Sequence, residues 1–231
     1  MIVFYENGYT VYRTMTQRCA CYIIKTNQYS VLIDTSMRFE HKAVIRSIEA
    51  AGISKIDAIF LTHSHTDHVA NARYFSNEFH CSVYVSPKGM KHMIKGCCTM
   101  PKGTNSFSRL LSRVEPQIPF YQFTRFEACP QVKPISSEVV KWYLGECSEL
   151  LETPGHTSDS VSIILDRHIA FVGDAMVHVL GNIYPPFADD EKAVITSWNA
   201  LLSTQCQTFC PAHGKPVSRE KLIRAYQRSA K

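Results

Sequence analysis

The sequence predicts an α/β protein built from two mixed sheets with helices on their outer faces. Three observations lead there. The first third of the chain is a series of short runs rich in β-branched and aromatic residues, closed by an amphipathic helical segment. An irregular stretch follows. Strands and helices then return in the last hundred or so residues. The order is strands and helices, an insertion, then strands and helices again.

In chain order, strands are expected at 3–5, 11–15, 19–24 and 29–34, separated by turn signals such as Asn7-Gly8 and Thr26-Asn27. Ala43, Ile45, Ile48 and Ala51 give 40–51 an apolar helical face, and Gly52 ends it. Ala58-Ile59-Phe60-Leu61 reads as a buried strand. A helix is expected from about 67 or 68 through Phe75, and a strand at 82–86 before Pro87. Residues 88–137 lack periodicity; short helices are expected at 88–95 and 106–113. Strands are expected at 139–143, 149–153, 160–165, 168–173 and 208–210. Helices are expected at 190–202 and 218–228, the last capped by Ser218. The expectation is one domain over 1–231, with 88–137 an insertion that serves as a lid or substrate wall.

The 231 residues are 45% hydrophobic and 19% charged, enough for a sizeable core and no indication of disorder. No uninterrupted apolar run reaches the roughly eighteen residues of a membrane span, and the N-terminus has no basic stretch followed by an apolar one. A cytoplasmic protein without membrane contact is the expectation. Nine cysteines, an odd number with no Cys-x-x-Cys, read mostly as small apolar residues; a second metal site built from them is the alternative. Residues 88–145 carry nine Lys or Arg against three Glu. They form either a solvated basic face or an attractor for an anionic small-molecule substrate.

The strongest chemical signal is His63-x-His65-x-Asp67-His68, directly after an apolar strand. Residues i and i+2 of an extended segment face the same way, so His63 and His65 can hold one ion together. A turn at Thr66 lets Asp67 and His68 face a second ion. Imidazole nitrogen and carboxylate oxygen suit zinc, and also iron or manganese. His156, in Pro154-Gly155-His156-Thr157, also follows an expected strand, as do Asp174 after Gly173 and His213 in Pro211-Ala212-His213-Gly214. Alone, each could be ordinary turn chemistry. Together the seven sit at the ends of four strands. No G-x-S-x-G elbow, P-loop or G-x-G-x-x-G is present.

The order HxHxDH, PGHT, GD and Pro-x-His-Gly resembles the metallo-β-lactamase superfamily from Asp34 to Gly214, with 88–137 outside the match. The resemblance implies a four-layered αββα sandwich and two divalent metal ions, zinc first, with iron or manganese as the alternatives. It implies His63, His65 and His156 on the first ion, Asp67, His68 and His213 on the second, and Asp174 between them. Asp34 matches an early aspartate that supports a ligand histidine; its other reading is a strand-end turn residue. The implied activity is hydrolysis by a metal-bridging hydroxide, with Asp67 as catalytic base, of an ester, thioester, lactone or phosphoester. The alternative is an iron-dependent oxidoreductase similar to the sulfur dioxygenases.

Subfamily patterns narrow this. Asp174 and the missing leader argue against antibiotic hydrolysis. His65 stands where the flavin-linked di-iron oxidoreductases have Glu. Glyoxalase II shares all seven ligands but carries a helical C-terminal domain, and 17 residues follow Gly214 here. Val177 stands where quorum-quenching lactonases have Tyr. His178 is similar in position to a substrate-contacting histidine of the tRNA-maturing members, or is a packed polar residue. The larger nucleases need a further domain, so nucleic acid is not the expected partner. Aromatics of the insertion (Phe107, Phe120, Tyr121, Phe123 and Phe126) form either a pocket wall or the insertion's own small core.

Overall fold

In the computed structural model, which describes residues 2–6, 8–14, 16–114 and 124–229, side-chain alternation along the strands sorts the apolar residues into three slabs. The larger sheet has seven strands in sequence order: β1 (Ile2–Glu6), β2 (Tyr9–Arg13), β3 (Tyr22–Lys25), β4 (Ser30–Ile33), β5 (Ala58–Phe60), β6 (Ser82–Val85) and β7 (Lys133–Pro134). Its first four strands form an antiparallel meander, and β4, β5, β6 and β7 run parallel. The smaller sheet has the order β12-β11-β10-β9-β8, made of β8 (Glu149–Glu152), β9 (Val161–Leu165), β10 (Ile169–Gly173), β11 (Thr208–Pro211) and β12 (Val217–Ser218).

The middle slab lies between the sheets. Tyr22, Ile24 and Phe60 meet Ile163, Leu165 and Phe171 there, with Tyr22 and Phe171 ring centroids 5.1 Å apart. The alternate residues face outward. Ile23, Leu32 and Ile59 pack on α1 (His41–Ala50), α3 (Ala72–Phe79) and α4 (Met90–Lys95) through Val44, Ile48, Phe75 and Met93. Ile164, Ala170 and Val172 pack on α7 (Glu191–Ser203) and α8 (Arg219–Ser229) through Trp198, Leu201 and Leu222. Period-2 burial on both faces of each sheet makes the two-sheet sandwich with flanking helices the arrangement that hides every apolar stripe. This is the αββα layering expected from the sequence.

Three local expectations are corrected. The segment 139–143, expected as a strand from its paired valines, is part of helix α6 (Ser137–Leu144). The Ser136 hydroxyl accepts from Val139 N at 3.3 Å, and Val140 and Leu144, one turn apart, plug the slab between the sheets. The strand expected at 19–24 begins only at Tyr22, leaving 16–21 as a loop. The helix after the histidine motif is broken into α2 (Thr66–Val69) and α3. Of the insertion, α4 and α5 (Ser106–Val114) form where short helices were expected, and β7 extends the larger sheet. Phe120, Tyr121 and Phe123 lie outside the described residues.

Strand direction positions the site. β4 and β5 are parallel, as are β10 and β11, and β8 follows the direction of β10 because both are antiparallel to β9. In each sheet these C-terminal ends share one edge, and contacts such as His65 to His156 and His68 to Asp174 bring the two edges together. No helix among the described residues is long and apolar enough to cross a membrane.

Candidate metal centre

Each chemically distinctive residue follows one of those strand ends. Asp34 follows β4, His63 to His68 follow β5, His156 follows β8, Asp174 follows β10 and His213 follows β11. Two glycines let the backbones approach. Gly173, at φ 49°, sits so close to Thr62 that an added Cβ would lie 2.5 Å from Thr62 Oγ1. Asp174 and His63, the next residues, are thereby brought together. Gly155, at φ 140°, leaves room for α7, since a Cβ there would lie 2.5 Å from Val194 N.

The seven side chains converge. Ligand atoms of His63, His65 and His156 lie within 4.8 Å of one another, and so do those of His63, His68 and Asp174. His156 Nε2 is 2.9 Å from His65 Nδ1. Asp174 reaches both halves: its Oδ2 is 3.6 Å from His156 Nε2 and 3.5 Å from His213 Nε2, and its Oδ1 is 3.5 Å from His68 Nε2. Asp67 Oδ2 is 3.1 Å from His213 Nε2 and 3.9 Å from His68 Nε2.

The far side of four of the five rings is held. His68 Nδ1 donates to Asp34 Oδ2 at 2.9 Å, His156 Nδ1 to the Phe187 carbonyl at 2.8 Å and His213 Nδ1 to the Arg18 carbonyl at 2.7 Å. His63 Nδ1 is 3.2 Å from Thr62 Oγ1. These contacts select the tautomer that turns a lone pair inward. Asp34, at φ 58°, uses a left-handed conformation to accept from Thr62 N at 2.8 Å as well. It is thus both the strand-end turn residue and the support for His68. Asp159 was not singled out in the sequence. Its Oδ2 accepts from Ser64 N at 3.0 Å and pins the loop between His63 and His65. The carbonyls of Phe187 and Arg18 left no trace in the sequence either, because any residue type supplies one.

Charge is divided across the site. Burial, reinforced by neighbouring imidazoles, holds His63 well below the usual histidine range, and burial with His156 pushes His65 down to about 3. Burial works against charge on His68 and His213 too. There, however, the surroundings win: Cys19 and Asp34 raise His68, and Asp174 raises His213. Asp67 and Asp174 sit below the usual carboxylate range despite burial, because His68 and His213 face them. His63 and His65 thus favour the neutral imidazole, whereas His68 and His213 are balanced by the carboxylates that face them.

The arrangement fits bound cations. Nε2 of His63, His65 and His68 and Oδ1 of Asp174 are buried with no hydrogen-bond partner. Each such orphan costs about 1–3 kcal/mol in a folded protein, and all four belong to residues of one cluster. A cation coordinated by these lone pairs removes that penalty.

A cavity of about 700 Å³ opens onto the centre, reached by His65, Asp67, His156, Asp174 and His213. The insertion supplies one wall through Met100, Pro101, Leu111 and Val114, and Val177 and Phe187 continue it. His178 is not among the described residues that line it. Its Nδ1 contacts the Lys215 carbonyl at 3.0 Å and its Nε2 contacts Lys221, while its backbone N–H donates to the His213 carbonyl at 2.9 Å.

The family sequence model described as the metallo-beta-lactamase superfamily matches residues 16–96. A probable metallo-hydrolase of Methanocaldococcus jannaschii is 26% identical over 198 residues, covering 84% of this chain and 75% of that protein. Among solved structures, a metallo-beta-lactamase family protein from Thermus thermophilus is similar with a TM-score of 0.70 at 16% identity, covering 96% of this chain and 78% of that one. A protein solved in a di-iron-bound form is similar with a TM-score of 0.64 at 22% identity, covering 92% and 96%. The matched segment carries the His63-x-His65-x-Asp67-His68 motif, and over it the chain is similar to the metallo-β-lactamase superfamily, whose solved members share its αββα layering.

Proposed function

We propose that this protein is a metal-dependent hydrolase with a binuclear centre, acting on an ester, thioester, lactone or phosphoester of a small molecule that carries an apolar group. The observation behind this reading is the cluster of orphaned, buried ligand atoms at the floor of one cavity. His63, His65 and His156 would hold the first ion, and Asp67, His68 and His213 the second, with Asp174 between them. The donor set suits zinc, iron or manganese. The neighbour solved in a di-iron-bound form keeps iron among the candidates. Bound ions supply Lewis acidity for a carbonyl or phosphoryl oxygen and lower the pKa of water from about 15.7 to about 7.

The chain's own residues do the rest. Asp67 is the most exposed carboxylate of the set, with 32% of its side chain open toward the cavity, and His68 and His213 favour its ionised form. It is suited to orient the attacking water and accept its proton. The Asp34, Phe187 and Arg18 contacts hold three rings against rotation, so the ligand directions are set before substrate arrives. Leu111, Val114, Met100 and Phe187 support an apolar acyl or alkyl group on the substrate rather than a charged one at that wall.

Elemental analysis of the purified protein should give close to two transition-metal ions per chain. The metal-loaded protein should then cleave at least one of a set of thioester, lactone, phosphodiester and β-lactam reporters, with apolar acyl groups preferred. At most one firmly held ion, or no turnover of any reporter, would count against the reading. Oxygen consumption on a thiol substrate with a single iron would favour the oxidoreductase alternative.

A further inference from the structure

The loop 16–21 carries the one cysteine that enters the ligand cluster among the described residues. Ligand atoms of Cys19, His68 and His213 all lie within 4.8 Å of one another. Cys19 is fully buried, and its thiol's contact to the Ala20 carbonyl is long, 4.0 Å. A second observation at the same spot concerns the histidine beside it. His68 is also fully buried, its Nδ1 is taken by Asp34, and its Nε2 has no hydrogen-bond partner.

The loop is fixed with unusual thoroughness for a segment without regular structure. The Cys19 carbonyl accepts from Thr16 Oγ1 at 2.7 Å and from Ser36 Oγ at 3.1 Å. Gln17 N and Arg18 N both donate to Glu40 Oε1, at 2.6 and 3.2 Å. On either side of Cys19 the loop grips the segment that bears His213: the Arg18 carbonyl accepts from the His213 ring, and Ala20 N donates to the Ala212 carbonyl at 2.7 Å. Cys19 and His213 are thus held as one unit across the two sheets. That is the preorganisation a coordinating residue needs, and an apolar filler does not require it.

The geometry points to Cys19 as a thiolate ligand of the second metal ion, adding one sulfur to the nitrogens of His68 and His213 and the oxygens of Asp67 and the shared Asp174. This rests on the binuclear reading above and adds a ligand to it. Coordination forms one sulfur–metal bond and releases the thiol proton to solvent. A thiolate makes this position softer than the three-imidazole one, so it selects zinc or ferrous iron over manganese or magnesium.

Two measurements test this without relying on turnover. X-ray absorption on the zinc-loaded protein should show a sulfur scatterer at about 2.3 Å. The cobalt(II)-loaded protein should show a thiolate-to-cobalt charge-transfer band beside its d–d bands. Cys19→Ser should lose that band while keeping the d–d bands of the first ion. Cys98→Ser is the control: Cys98 lines the cavity, 3.8 Å from Thr66 Oγ1, and its removal should leave the band intact. Cobalt d–d bands with only nitrogen and oxygen scatterers would overturn the role of Cys19 and leave the centre standing. A charge-transfer band that disappears in Cys98→Ser and survives in Cys19→Ser would overturn it too. No cobalt uptake by the wild type would sink the centre and the inference together. Should the Cys19 variants fail to fold, a sulfur signal surviving Cys98 replacement supports the assignment, and its loss refutes it.

Discussion

Asp34 carries more of the site than its distance in sequence from the histidines suggests. It is at once a left-handed turn residue, the acceptor for His68 Nδ1 and the acceptor for Thr62 N. Asn tolerates the left-handed conformation but replaces a charged acceptor by an amide. Asp34→Asn should therefore fold and bind metal roughly 10- to 100-fold more weakly, read by competition with a chromophoric chelator. Unchanged affinity would show that His68 does not depend on it. Asp67→Ala should lower turnover by at least about 100-fold, since a positioned base contributes that much or more, with the circular dichroism spectrum retained. Wild-type rates in that variant would remove Asp67 from the mechanism. The seven ligand candidates were legible from residue type and spacing alone. Cys19 was not: with nine cysteines at irregular intervals, all free thiols, nothing local separates the one beside His68 from the eight others.

At the scale of elements, turns and caps decide geometry. Gly155 lets the His156 turn nest against α7, and a methyl group there would meet the Val194 backbone. Gly155→Ala should destabilise by about 1–3 kcal/mol through overpacking and should reduce bound metal as His156 is displaced, checked by thermal unfolding with metal analysis. A stable variant with full metal would contradict this. Helix α5 has the opposite character. Phe107, Leu110, Leu111 and Val114 are largely exposed, and Leu111 and Val114 face the cavity. Leu111→Asp should raise KM for apolar reporters without changing metal content. Equal loss of metal would mean that this wall supports the centre rather than the substrate. Helix α6 shows how a local reading fails. Val139 and Val140 are β-branched and suggest a strand. The Ser136 cap and the burial of Val140 and Leu144 on one side override that preference. A capping serine is worth about 1 kcal/mol, so Ser136→Ala should lower Tm by roughly 2–4 °C.

Across the whole molecule the centre joins the two sheets. His63, His65, Asp67 and His68 hang from the larger sheet, and His156, Asp174 and His213 from the smaller one. Among the described residues, backbone contacts such as Val161 N to the Thr62 carbonyl at 2.8 Å bridge the sheets nearby. Metal should therefore act as a clamp on the sandwich. At a free concentration about 1,000 times its Kd, an ion stabilises the folded state by about 4 kcal/mol. Chelation should then lower Tm by roughly 10 °C while leaving secondary structure at room temperature unchanged. A Tm insensitive to chelator would mean that the sheets hold the site open unaided.

The sequence by itself determined the fold class, most strands and the seven ligand candidates, because alternation of apolar residues and metal-capable side chains at strand ends are short-range patterns. Only the tertiary structure decided which atom of each ring faces inward, that the carbonyls of Arg18 and Phe187 orient two of them, and that Cys19 lies against His68 and His213. The physical reason is that these depend on contacts between residues far apart in the chain: Arg18 and His213 are brought together from opposite sheets, and a carbonyl or a buried thiol carries no signature of its partner until the chain has folded.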